Sequence, residues 1–164
     1  MTRLEKTTTI YAPIEKVFEF VDGPENVARY AVGVSRVKEV SKTEKHVGDI
    51  MTLTYTALGK RFDEQFTYTE YNKPTLLVSK VTGQMAGTFH VALKQEASNQ
   101  TLVTLKTDYE IVSSALGRAL NRLLLERVNE KNLERTLGNI KMMVETGWFE
   151  AGKIADATKE TVAQ

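Results

Sequence analysis

The sequence predicts an α+β fold in which a curved antiparallel β-sheet wraps around a long carboxy-terminal α-helix, with two short helices after the first strand. Three observations predict it. Between Gly33 and about Ile111, short segments alternate apolar and polar residues and are separated by brief turns, which forces antiparallel neighbours. Each segment has one apolar and one polar face, so the sheet needs a cover on one side only. The stretch from Ala115 to about Glu145 is rich in Leu, Arg, Glu and Asn and free of Pro, and supplies that cover as a helix.

The first strand is signalled by Thr7, Thr8, Thr9, Ile10 and Tyr11, whose β-branched and aromatic side chains suit a pleated surface. Pro13 then opens a helix in which Ile14, Val17, Phe18 and Val21 recur at the i, i+3, i+4, i+7 spacing of one buried face. Asp22-Gly23-Pro24 ends it and starts a second short helix, Glu25 to Tyr30, with Val27 and Tyr30 on one side. Turns are expected at Gly48-Asp49, Leu58-Gly59, Asn72-Lys73-Pro74, Gly83 to Gly87 and Ser98-Asn99-Gln100. Between them, Met51, Leu53, Tyr55 and Ala57 share one strand face, and Phe62, Glu64, Phe66 and Tyr68 share the next. Phe89, Val91 and Leu93, then Val103, Leu105, Thr107 and Tyr109, repeat the pattern, which leaves His90 on the outer face.

In the last helix Leu116, Leu120, Leu123, Leu124 and Val128 form one stripe, and Leu133, Leu137, Ile140 and Val144 form another, displaced by roughly 130° at about 100° per residue. Between the stripes lies a polar waist, Glu126 to Glu134, in which Arg127, Glu130 and Glu134 occupy the intervening arc. One domain is expected over 1–146. The remainder, 147–164, is Ala, Thr and Lys rich and reads as a weak helix or a disordered tail.

Composition narrows the function. The chain has 164 residues, 41% hydrophobic and 26% charged, in the range of a folded globular domain. Its 22 Lys and Arg against 21 Asp and Glu leave a net charge of +1, without the basic excess of a nucleic-acid binder, so no nucleic-acid partner is expected. The absence of cysteine removes thiol catalysis, disulfides and Cys-based metal sites. His46 and His90 fit no metal-ligand spacing, and neither metal nor cofactor is expected. The amino terminus lacks the roughly 7 to 15 apolar residues of a signal-peptide core, and no run approaches the roughly 18 that span a bilayer. A cytoplasmic location without an integral membrane segment is the expectation; the oligomeric state stays open.

Several stretches together resemble a known superfamily. They are Ile10-Tyr11-Ala12-Pro13-Ile14-Glu15-Lys16-Val17-Phe18, Pro24-Glu25-Asn26-Val27-Ala28-Arg29-Tyr30, Thr69-Glu70-Tyr71-Asn72-Lys73-Pro74 and Leu133-Glu134-Arg135-Thr136-Leu137-Gly138-Asn139-Ile140-Lys141. With the order of elements they resemble the START and birch-pollen-allergen superfamily, in particular its polyketide cyclase and dehydratase branch, where Tyr30 stands in place of the usual Trp. The resemblance covers residues 3 to about 146. It implies the helix-grip fold, with a tunnel between sheet and helix that holds lipids, polyketides, hormones or other apolar molecules.

Glu64 is the outstanding candidate, because it shares a strand face with Phe62, Phe66 and Tyr68 and an inward carboxylate needs a partner or a proton. Arg127 on the helix waist is its expected counter-ion. The aromatics Tyr30, Tyr55, Phe62, Phe66, Tyr68, Phe89 and Tyr109 would complete a ligand wall around a hollow of roughly 300 Å³ or more, the space that drug-sized ligands occupy. The expected function is binding of a small hydrophobic molecule, aromatic, polyketide-like or acyl. The alternative is an aromatase, cyclase or dehydratase without metal, in which Glu64 is the acid or base and Tyr55 or Arg127 polarises a carbonyl. A third reading, a protein-interaction module, would use Trp148-Phe149.

Overall fold

The computed structural model describes residues 1–148. Seven strands, β1 (Thr2–Ile10), β2 (Val34–Ser41), β3 (Ile50–Ala57), β4 (Lys60–Asn72), β5 (Leu76–Thr82), β6 (Met85–Ala97) and β7 (Gln100–Ile111), form one sheet. Four helices accompany it: α1 (Ile14–Asp22), α2 (Pro24–Tyr30), α3 (Ser114–Ala119) and α4 (Arg122–Glu145). The strand order is β1-β7-β6-β5-β4-β3-β2 and every neighbouring pair is antiparallel. This is the helix-grip arrangement that the sequence predicts. Of the expected tail, everything beyond Trp148 lies outside the described residues, Phe149 included.

The sheet curls around α4. Tyr55 of β3 and Tyr109 of β7 stand four strands apart in the sheet, yet both reach the side chain of Asn129 on α4. A flat sheet with strands about 4.8 Å apart would hold them near 19 Å from each other, too far for one asparagine. A bulge between Tyr68 and Glu70 reverses the alternation at the end of β4, so that Tyr71 also turns toward the core and packs edge-on against Phe18 of α1.

The apolar face of α1 behaves as its spacing predicts. Ile14, Val17, Phe18 and Val21 are all buried, together with Phe20, and Pro13 occupies the N-cap position. Asn26 of α2, fully buried, donates to the carbonyl of Phe20 and ties together the two helices, which pack in one cluster with Leu133, Leu137, Ile140 and Val144 of α4.

Two expectations about the chain are corrected. The stretch Gly83 to Gly87 is not one turn, because Gly87 lies within β6, paired with Val81 and Tyr109, and only Gly83 and Gln84 connect the strands. The carboxy-terminal helix is not continuous from Ala115. It breaks at Leu120-Asn121, where both residues are extended and the Asn121 Oδ1 accepts from the Leu124 backbone N–H at 3.1 Å, an N-cap that starts α4 afresh.

The break resets the helix phase. Leu123 and Leu124, expected in the buried stripe, are 69% and 47% exposed, while Leu125 is 1% exposed and packs with Ala57 and Phe62. From Leu125 a single inward stripe continues through Asn129, Asn132, Leu133, Thr136, Ile140 and Val144, at the spacing of a regular α-helix. The charged trio of the expected waist, Arg127, Glu130 and Glu134, faces solvent. The interior thus has two apolar plugs, one under α1, α2 and the end of α4, the other around Phe62 and Leu125.

Leu125→Ala and Ile140→Ala are each expected to cost about 2 to 5 kcal/mol in urea unfolding, whereas Leu123→Ala stays within about 0.5 kcal/mol. Equal costs at 123 and 125 would contradict the phase set by the Asn121 cap.

Candidate functional site

Between the two plugs lies a cavity of about 200 Å³, bounded by the concave face of the sheet, the α2 end and the inward stripe of α4. Its wall includes Tyr30, Tyr55, Glu64, Phe66, Tyr68, Phe89 and Tyr109, all expected there. It is smaller than the expected 300 Å³, because Leu133, Thr136 and Ile140 of α4 project into the space and Phe66 stacks edge-on against Phe89 at 6.2 Å. A cavity of about 150 Å³ already accepts benzene.

Phe62 is not on this wall. It is fully buried in the plug with Leu125 and Ala57, because the β3–β4 hairpin carries it past the end of the hollow. Arg127 is not on it either. The α4 phase turns its side chain to solvent, so it forms no pair with Glu64.

Glu64 points inward, as the strand alternation implies, and is 2% exposed. Its Oε1 accepts from the backbone N–H of Met85 at 3.1 Å and its carboxyl also accepts from that of Gln84. Oε2 has no partner among the described residues. Gly83, at φ +149°, makes this position available: a Cβ there would stand 2.2 Å from Oε2. Burial pushes the carboxyl up to about 7, against the two backbone N–H bonds that favour its charged form.

The tyrosines are held in a polar belt. Asn132 Nδ2 donates to Tyr55 Oη at 2.9 Å, Tyr55 Oη donates to Asn129 Oδ1 at 2.6 Å, and Asn129 Nδ2 donates to Tyr109 Oη at 2.7 Å. Tyr109 is also bonded to Thr2, whose hydroxyl donates to Glu126 at 2.5 Å. The single proton of Tyr55 is therefore engaged with Asn129 in this structure. Burial raises both phenols above their ordinary value. At the other end, Tyr71 donates to Asp22 Oδ2 at 2.7 Å and Tyr68 bonds to the same carboxylate, while Tyr30 donates to the Val21 carbonyl at 2.9 Å.

Asn129, Asn132 and Asp22 escaped the sequence reading. The two amides look like surface residues of a polar waist, and the signal that places them inside is their phase relative to Leu125 and Ile140, visible only once Asn121 is recognised as a cap.

The pH dependence of stability follows from Glu64. Its folded-state value of about 7 lies above the ordinary 4.5, so the native chain holds the extra proton and this contribution to stability is lost as pH rises through that interval. Urea unfolding should therefore show the Glu64→Gln variant gaining on the wild type by on the order of 2 to 4 kcal/mol between pH 4 and pH 8. A constant difference would show an ordinary carboxyl. Arg127→Met should change stability by less than about 0.5 kcal/mol and add independently to Glu64→Gln.

The family described as polyketide cyclase / dehydrase and lipid transport matches residues 1–145. Among solved structures, the chain is similar to the Zhui aromatase/cyclase of a Streptomyces species, at 14% identity and a TM-score of 0.76, over 88% of this chain and 93% of that one. It is also similar to a Thermus thermophilus protein, at 18% identity and a TM-score of 0.74 over 89% and 99% of the two chains. A START superfamily protein of Mycobacterium smegmatis gives 11% identity and a TM-score of 0.73 over 88% and 97%. Comparison with curated proteins gives no match. Among the described residues, no helix is long and apolar enough to cross a membrane.

Proposed function

The chain belongs to the polyketide cyclase / dehydrase and lipid transport family, and on that premise we propose that its cavity binds a small, mostly apolar molecule of one or two rings or a short acyl chain. The observation that carries this reading is the combination of a mostly apolar wall with one inward carboxyl, Glu64, whose Oε2 has no hydrogen-bond partner among the described residues. Ligand sites commonly pair a hydrophobic lining with a few fixed polar groups that set orientation. The small volume makes long lipids and multi-ring polyketides poor candidates.

A second reading is favoured by the same carboxyl. A group with a pKa near 7 can take up or release a proton at neutral pH, which is the requirement for general acid or base work on a bound carbonyl compound. Glu64 would then act without Arg127 or Tyr55, and the cyclase or dehydratase chemistry would rest on one acid-base group in an apolar hollow. Binding is the step both readings share.

The test is a titration with 2-naphthol followed by amide chemical shifts. Saturable binding with a dissociation constant on the order of 100 µM or tighter is expected, with shifts at Leu53, Phe66 and Leu133. Ser79→Phe, which sets a phenyl ring into the hollow, should weaken it by about tenfold or more. Absence of saturable shifts in the wild type would end the reading.

A further inference from the structure

Among the described residues that line the cavity, Glu64 is the sole carboxylate and none is Lys, Arg or His. Three of the hydrogen-bond donors on the wall are engaged with protein acceptors. Tyr55 donates to Asn129, the Asn129 amide donates to Tyr109, and Tyr30 donates to the Val21 carbonyl. Arg127, on the helix waist, is turned to solvent. A carboxylate or phosphate ligand would therefore enter a hollow that already holds a carboxyl and, among the described residues, offers no counter-charge.

The carboxyl itself is half-satisfied. The backbone N–H groups of Gln84 and Met85 hold it from the β5–β6 turn, and Oε2, which lies beside Gly83, has no hydrogen-bond partner among the described residues at 2% residue exposure. The charged group that acts on it, Asp63 on the same strand, adds negative potential, and itself engages Thr54 and Arg61 on the outer face. Leu53 of β3 is its cross-strand neighbour, and the other polar side chains that line the same hollow include the neutral amides of Asn129 and Asn132 and the phenol of Tyr109. Among the described residues that line the cavity, none supplies positive charge. A buried acceptor of this kind is matched by an ammonium group, which forms a charge-assisted hydrogen bond and removes the cost of the isolated charge.

Building on the ligand-binding reading above, we propose that the cavity selects small aromatic or alicyclic molecules that carry a protonated amine, with Glu64 as the counter-ion, and turns carboxylates away. The apolar wall holds the ring and the strand-borne carboxyl holds the nitrogen. The selection is electrostatic, so it separates ligands of equal shape.

Three probes of one size test it on the full chain at pH 8 by calorimetry: 1-naphthylmethylamine, 1-naphthylmethanol and 1-naphthoate. The amine is expected to bind about tenfold more tightly than the alcohol, and the naphthoate about tenfold more weakly, differences on the scale of one charge-assisted hydrogen bond. In Glu64→Gln the amine advantage disappears and alcohol binding stays within about threefold of the wild type. Should that variant fold poorly, calorimetry of the wild type at pH 7 in two buffers of different ionisation enthalpy reads the same interaction: amine binding releases about half a proton and alcohol binding none. Alcohol binding without preference for the amine, or an amine preference that survives Glu64→Gln, overturns the proposal and leaves the binding reading standing. Failure of all three probes to bind overturns both.

Discussion

One helix cannot fill the concave face of a seven-stranded antiparallel sheet. The chain meets this constraint by plugging the two ends and leaving the middle open. At one end α1 and α2 bring Phe18, Phe20 and Tyr30 against the final turns of α4; at the other, Phe62 and Leu125 close the β3–β4 hairpin under the first turn. The hollow that remains is thus a consequence of topology, and the side chains that face it are the ones free to serve a ligand.

Across that hollow, α4 changes character. Leu125 and Ile140 pack against protein, but Asn129 and Asn132 between them carry amides that a packed core would not tolerate. Here the amides bridge two strands from opposite sides of the curled sheet through Tyr55 and Tyr109, so each buried hydroxyl is satisfied and the helix is strapped to both rims. Leaving either tyrosine unpaired would cost roughly 1 to 3 kcal/mol, which makes the belt a device for holding the opening at a fixed width. Glu64 is the exception in this satisfied network. Its two backbone N–H bonds offset part of the desolvation, and the glycine at 83 removes the side chain that would block it.

Much of the fold was legible because strand alternation and short turns are strong local signals. They place Leu53, Tyr55, Glu64, Val91 and Leu105 inward as the structure has them, and the spacing of Ile14, Val17, Phe18 and Val21 does the same for α1. The differences along the carboxy-terminal helix share one cause. Ser113 and Asn121 each cap a helix, and with Asn121 unread, the leucines on either side merge into one continuous stripe whose phase is wrong by the time it reaches the waist. That error placed Arg127 opposite Glu64 and hid Asn129 and Asn132. Phe62 was misplaced for a different reason: alternation gives the face of a residue but not how far along the barrel axis it sits, and Phe62 lies beyond the end of the hollow.

The central claim is that Glu64 resides on the wall of an apolar cavity without a counter-ion among the described residues. The most direct measurement is the carboxyl carbon resonance of Glu64 followed by NMR through a pH titration of the ligand-free protein, assigned by its loss in Glu64→Gln. The account predicts a midpoint near 7. A midpoint at the ordinary 4.5 would contradict it, because that value requires either solvent at the carboxylate or a cation beside it.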